Sequence, residues 1–162
     1  MIRIAILTAS DKGARGERED KSAAVIRQML ADLGEVVAYD VVADERQLLA
    51  AKMREFCDLT RADLVLTTGG TGFSPRDVTP EATREVIERE VPGLPEAMRA
   101  ASLKVTPQAM LSRAVAGIRG QTLIVNLPGS PKGVRENLAV ILPVLPHGLD
   151  ILKGKAGECG RL

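Results

Sequence analysis

The apolar positions of the chain fall into two rhythms that alternate from the start. Residues 2–9 form an almost unbroken apolar run that ends at Ser10 and Asp11, the pattern of a strand covered on both faces of a parallel sheet. A polar, glycine-containing loop over 11–19 follows. Ala23, Ile26, Leu30 and Leu33 then recur at helical spacing, with Asp20 or Ser22 as cap and Gly34 as stop. Residues 36–42 predict a second strand, 44–47 open a second helix carrying Leu48, Leu49, Met53 and Phe56, and 62–67 predict a third strand. Strands alternating with helices in this way indicate βαβ units and a mostly parallel sheet.

In the second half, Thr79-Pro80-Glu81 reads as a helix start, with Thr79 as cap, proline at the first helical position and glutamate near the positive end of the dipole. That helix should run to about Glu90, where Val91-Pro92-Gly93 stops it. A short helix at 95–103 and another turn or two at 107–111 come next. Residues 114–119 and 122–127 flank Gly120-Gln121 as two short strands around a tight turn, which predicts one antiparallel strand in the sheet. Residues 134–152 carry helical spacing interrupted by Pro143 and Pro146, and 155–162 read as a C-terminal tail. At 162 residues the chain is expected to form one domain, over 1–154.

Composition narrows the function classes. With 22 basic against 21 acidic residues and a net charge of +1, there is no bulk pull toward nucleic acid or an anionic membrane. Tyr39, Phe56 and Phe73 are the only aromatics, so no platform for stacking bases is present either. No apolar run reaches the roughly 20 residues that span a bilayer, and no signal-peptide pattern follows the first strand; a cytoplasmic location is expected. Cys57 and Cys159 are isolated thiols, without metal-ligand or disulfide spacing; Cys57 reads as helix packing. His147, the single histidine, lies between Pro146 and Gly148 with no Ser, Cys or acidic pair at triad spacing, and reads as a surface or interface residue.

Ligands of open α/β sheets bind beyond the carboxyl ends of the strands, and the segments following the predicted strands are alike: Ser10-Asp11, Asp44, residues 68–77 and residues 126–131. The third is the richest. Thr68-Gly69-Gly70-Thr71-Gly72 combines glycines, which allow close backbone approach and positive φ, with hydroxyls that bond phosphate oxygens; a plain tight turn is the competing reading. Ser74 and Arg76 follow, the latter able to neutralise phosphate. Asp77 is either a ligand for a hard divalent cation or a cap for the helix at Pro80, and Asp44 is either a catalytic carboxylate or, with Gln47, a capping box. Two carboxylates beside a phosphate cradle suit magnesium-assisted nucleotidyl transfer, which needs no covalent nucleophile.

The run Leu66-Thr67-Thr68-Gly69-Gly70-Thr71-Gly72-Phe73-Ser74-Pro75-Arg76-Asp77-Val78-Thr79-Pro80-Glu81-Ala82-Thr83 resembles the signature of the molybdopterin adenylyltransferases, the MogA/MoaB-type proteins and the equivalent domain of gephyrin. The likeness continues through Pro92-Gly93, Leu111-Ser112-Arg113-Ala114 and Asn126-Leu127-Pro128-Gly129-Ser130-Pro131, and spans about residues 4–154. It implies a three-layer αβα sandwich, assembled as a homotrimer, that transfers AMP from Mg-ATP to the terminal phosphate of molybdopterin and releases pyrophosphate. A downstream metal-insertion enzyme is the implied partner. By position, Asp44 and Asp77 match the two acids tied to catalysis and magnesium. Thr68, Gly69, Gly70, Thr71, Gly72 and Ser74 match the pterin-phosphate and nucleotide loop. Ser10 and Asp11 lie in the matching first loop, and Pro128, Gly129 and Ser130 in the late loop beside the nucleotide. Ala43 stands where many relatives have proline, and Ala23 where a glycine often follows the residue matching Ser22; neither removes a functional group. The alternatives are an inactive pterin-binding or carrier paralogue of the same fold, or a nucleotide-binding α/β protein with another phosphorylated substrate. Retention of Asp77, which some short relatives replace, favours an active enzyme.

Overall fold

The computed structural model describes residues 1–155. Six strands, β1 (Ile2–Ala9), β2 (Gly34–Val42), β3 (Leu64–Thr68), β4 (Arg89–Glu90), β5 (Ala116–Arg119) and β6 (Thr122–Leu127), form one sheet in the order β2-β1-β3-β6-β5-β4. β1, β2, β3 and β6 are parallel. β5 pairs antiparallel with both β6 and β4, so it alone runs against the rest.

Alternation along the central strands feeds two cores. Ile4, Ile6, Leu64, Leu66, Val125 and Leu127 face one side, where α2 (Lys21–Met29), α5 (Gly93–Leu103), α6 (Pro131–Ile141) and α7 (Leu145–Leu152) pack. Ala5, Leu7, Val65 and Ile124 face the other, against α3 (Arg46–Asp58) and α4 (Thr79–Val86). The chain is therefore the three-layer αβα sandwich expected. Asn126 in β6 is fully buried although polar: its Nδ2 donates to Thr67 Oγ1 and Thr83 Oγ1, each at 2.9 Å, and its Oδ1 accepts from the Val115 amide at 3.0 Å. No helix of the described residues is long and apolar enough to cross a membrane.

Several local expectations are corrected. Residues 11–14, expected as loop, form a helical turn, α1 (Asp11–Ala14), because the Ser10 hydroxyl accepts from the Gly13 amide as its cap. The helix expected to reach Glu90 stops at Val86: Ile87 turns extended, and Arg89 and Glu90 pair with Ile118 and Gly117 as an edge strand. Thr79 does not cap that helix but lies inside it, its hydroxyl donating to the Gly69 carbonyl at 3.0 Å. Asp44 is not part of a capping box either; Glu45 holds the N-cap of α3 with no side-chain bond, and the Asp44 carboxylate is engaged elsewhere. Gly34 opens β2 rather than closing a helix. Cys57 is buried in α3, as expected, and His147 is exposed on α7; Cys159 and most of the expected tail lie outside the described residues.

Candidate active site

From β1 the chain crosses to β2 on one side, and from β2 it returns past β1 to β3 on the other, so loops leaving the carboxyl ends of β1 and β3 diverge and open a crevice. A cavity of about 900 Å³ occupies it. Ser10 and Asp11 after β1, Asp44 after β2, and Thr68, Gly69, Gly70 and Asp77 after β3 line it, with Gly129 and Ser130 after β6. Of the remaining expected residues, Ser74, Arg76 and Pro128 bond residues that line it, whereas Thr71 and Gly72 lie behind them with their carbonyls on Arg113.

The glycine loop is shaped by contact with three strand ends. Gly69 and Gly70 adopt φ of 93° and 71°, conformations that residues with a Cβ adopt at a cost. A Cβ on Gly69 would lie 2.5 Å from the Ala9 carbonyl oxygen, and one on Gly129 would come 3.3 Å from Gly69 Cα. The Thr68 hydroxyl donates to the Pro128 carbonyl at 2.6 Å, tying the loop to the late loop, and the Thr79 amide donates to the Gly70 carbonyl at 3.1 Å. Glycine here is thus a packing requirement as well as a turn residue.

Four charged side chains meet beside this loop. The Asp44 carboxylate accepts the Asp11 amide at 3.0 Å, and the Asp11 carboxylate accepts the Asp44 amide at 3.0 Å. Arg76 grips Asp11 with a two-pronged contact, Nε to Oδ2 at 3.0 Å and Nη2 to Oδ1 at 2.9 Å. Asp77 Oδ2 accepts the Ser74 amide at 3.0 Å, so Asp77 closes its own loop instead of capping α4. Hydrogen bonding from Arg76, reinforced by the Asp44 amide, holds the Asp11 carboxyl below the ordinary range. Burial, with the charges of Asp11 and Asp77 adding to it against the Asp11 amide, pushes the Asp44 carboxyl above the ordinary range. Asp44 and Asp77 both line the cavity. These oxygen donors suit a hard divalent cation. Among the described residues no three His, Cys, Asp or Glu side chains form a group that could hold a metal ion by themselves.

A model of the probable molybdopterin-binding domain matches residues 5–147. The chain belongs to this family. Within the molybdopterin-binding domain family it is 46% identical over 156 residues to the molybdopterin adenylyltransferase of Helicobacter pylori strain J99, covering 94% of this chain and 89% of that one. It is 44% identical over 163 residues to gephyrin of Dictyostelium discoideum, covering 94% of this chain and 23% of gephyrin. The crystal structure of the molybdopterin biosynthesis enzyme MoaB from Thermus thermophilus shares the fold at a TM-score of 0.90 and 57% identity, covering 96% of this chain and 98% of that one.

Two features of this molybdopterin-binding domain escape a reading of motifs. Arg113, after the 3₁₀ turn Pro107–Leu111, anchors the far side of the glycine loop. Its Nε donates to the Gly72 carbonyl at 2.8 Å, its Nη2 to the Asp77 carbonyl at 2.7 Å, and its Nη1 to both Glu81 carboxylate oxygens at 2.7 and 2.9 Å, while its amide donates to the Thr71 carbonyl at 2.9 Å. A single arginine at that position carries no pattern; only its place in Leu111-Ser112-Arg113-Ala114 could have flagged it. The second feature is the set of cations Lys12, Arg18 and Lys21, which line the same cavity from α1, the connection after it and the start of α2, where charges look like ordinary solvated surface.

Proposed function

We propose that the chain is a molybdopterin adenylyltransferase of molybdenum-cofactor biosynthesis, transferring AMP from Mg-ATP to the terminal phosphate of molybdopterin with release of pyrophosphate. The observation that carries this reading is the meeting of the Gly69-Gly70 backbone with the Asp44 and Asp77 carboxylates in one cavity; the naming of relatives that match along most of the chain supports it.

In this reading Thr68, Gly69 and Gly70, which line the cavity, cradle phosphate oxygens, with Thr71, Gly72 and Ser74 shaping the loop behind them, and Gly129 and Ser130, tied in through Pro128, close the nucleotide side. Lys12, Arg18 and Lys21 attract the triphosphate. An oxygen of the pterin's terminal phosphate attacks the α-phosphorus of ATP, the bond from that phosphorus to the bridging oxygen breaks, and pyrophosphate leaves with the bonding pair. Asp44 and Asp77 would hold magnesium, which when bound neutralises charge on the triphosphate and leaving group. Arg76, bonded twice to the Asp11 carboxylate, holds the first loop against the glycine loop. The reading extends to a cytoplasmic homotrimer that passes its product to a metal-insertion enzyme.

The test is pyrophosphate release from ATP, with molybdopterin added or omitted and magnesium present or withheld. Release that requires both is expected. Tight pterin binding without release would overturn the proposal in favour of a carrier protein.

A further inference from the structure

Asp20 does more than begin a helix. Its Oδ1 accepts the Ala23 amide at 3.0 Å, as the cap of α2. Its Oδ2 accepts two hydroxyls at once, that of Thr8 from β1 and that of Tyr39 from β2. Thr8 is nearly buried, at 7% exposure. Arg27 of α2 lies over the Tyr39 ring, 5.1 Å from its centre, and so fixes the ring that carries the second hydroxyl. Burial and the bond to Asp20 push the Tyr39 phenol up to about 12, keeping it a hydrogen-bond donor at any physiological pH. A capping carboxylate needs none of this support from two further strands.

Asp20 also lines the cavity. Thr8 projects to the face of the sheet that carries Ile4 and Ile6, where α2 packs, whereas α3, the helix that follows Asp44, packs on the opposite face. A carboxylate oxygen has two lone pairs, and among the described residues Oδ1 accepts from Ala23 alone. An oriented acceptor is thus left on the wall of the cavity, on the α2 side of the sheet.

We propose that Asp20 is a substrate-contacting residue that accepts a hydrogen bond from an N–H or O–H donor on the ring or sugar portion of the bound substrate, and that Tyr39 is the positioning residue that aims it. The proposal rests on the reading of this cavity as a nucleotide and pterin site. It adds an acceptor for donor-bearing groups to a cavity whose glycine loop suits phosphate.

Three ligands separate the parts. ATP and neopterin monophosphate carry donor-bearing groups with phosphate; inorganic tripolyphosphate carries phosphate alone. Calorimetric titrations would be run on the wild type, Asp20→Asn, which keeps a good helix cap, and Tyr39→Phe, which keeps the ring under Arg27. Asp20→Asn is expected to weaken ATP or neopterin monophosphate by about tenfold, the scale of a hydrogen bond to a charged group, and Tyr39→Phe to weaken the same ligand by roughly threefold. Tripolyphosphate affinity should not fall in either, since Asp20→Asn only removes a negative charge from an anion-binding cavity. The chain has one tyrosine and no tryptophan, so the wild-type ultraviolet difference spectrum reports Tyr39 alone. It should shift with the ligand that the variants weaken and not with tripolyphosphate. Which ligand responds identifies the group at Asp20. Unchanged affinity for both donor-bearing ligands, equal weakening of tripolyphosphate, or a silent tyrosine spectrum would each overturn the proposal. Pyrophosphate release by the wild type is measured separately, so failure of the adenylyl-transfer reading is not confused with failure at Asp20.

Discussion

Asp11 and Asp44 hold each other across two strand ends, each carboxylate accepting the other's backbone amide at 3.0 Å. Asp11 is at the same time gripped by Arg76, so its carboxylate is already engaged and acts on the cavity through its neighbours. Asp11→Asn keeps an acceptor for the Asp44 amide but loses the charge that holds Arg76. We expect kcat/KM to fall about tenfold, the loss of one charged hydrogen bond, while thermal stability barely changes, since Arg76 is exposed and its ion pair is screened by solvent. Steady-state kinetics with a melting curve check both; unaltered kcat/KM would show the Arg76 contact to be incidental.

Asp77→Asn keeps an oxygen for the Ser74 amide and removes only charge. Turnover is expected to fall at least about a hundredfold, as for loss of one oriented electrostatic stabiliser, with pterin affinity nearly unchanged. Near-normal turnover would remove Asp77 from the metal-binding role.

Arg113 supports Asp77 from behind. Arg113→Ala would strip the Gly72 and Asp77 carbonyls and Glu81 of their shared partner, and is expected to cost about 2 kcal/mol of stability. A double-mutant cycle with Glu81→Gln, read by urea unfolding, should give coupling of about 1 kcal/mol. Additive effects would show that Glu81 does not hold the arginine in place.

Gly69→Ala adds a Cβ at a φ of 93° and 2.5 Å from the Ala9 carbonyl oxygen. Destabilisation of about 2 kcal/mol or more is expected, with a larger loss of nucleotide affinity than of fold. Gly120→Ala, at a φ of 58° but with open space around it, isolates the backbone cost at about 1 kcal/mol. Equal effects at the two positions would show that the close approach to Ala9 is not what requires glycine.

Burial pushes the Cys57 thiol up to about 11. Its folded pKa lies above its unfolded one, so the unfolded chain loses this proton first as pH rises. The contribution to stability is fully present below about pH 8.5, the unfolded value, and is lost as pH rises through about 11. Unfolding free energy should decline over that window by on the order of 2 kcal/mol more in the wild type than in Cys57→Ala. Parallel pH profiles would contradict this placement of the thiol.

The parts of the fold that could be read from the sequence are those whose burial is complete. β1, β3 and β6 are covered on both faces, and their unbroken apolar runs announce it. β4 could not be read, because Arg89 and Glu90 are exposed edge residues whose pairing depends on Ile118 and Gly117 and leaves no alternation. The site divides similarly. The glycine loop and Asp77 are local in sequence, whereas the Asp11–Asp44 exchange spans 33 positions and the Arg113 contact with Gly72 spans 41. Spacing cannot reveal those. Asp20 was visible only as a cap, since Thr8 and Tyr39 reach it from two different strands.

The buried Asn126 side chain has a consequence for how the chain finds this arrangement. Its partners belong to a neighbouring strand, a helix and the stretch entering another strand. A one-residue slip of β6 would leave several polar groups stranded in a dry interior, each at a cost of about 1–3 kcal/mol. Asn126 acts as an indexing pin: misaligned sheets are rejected during folding. Because Pro128 follows two residues later, and Thr67 directly precedes Thr68, the same rejection sets the two cavity loops level before any ligand arrives.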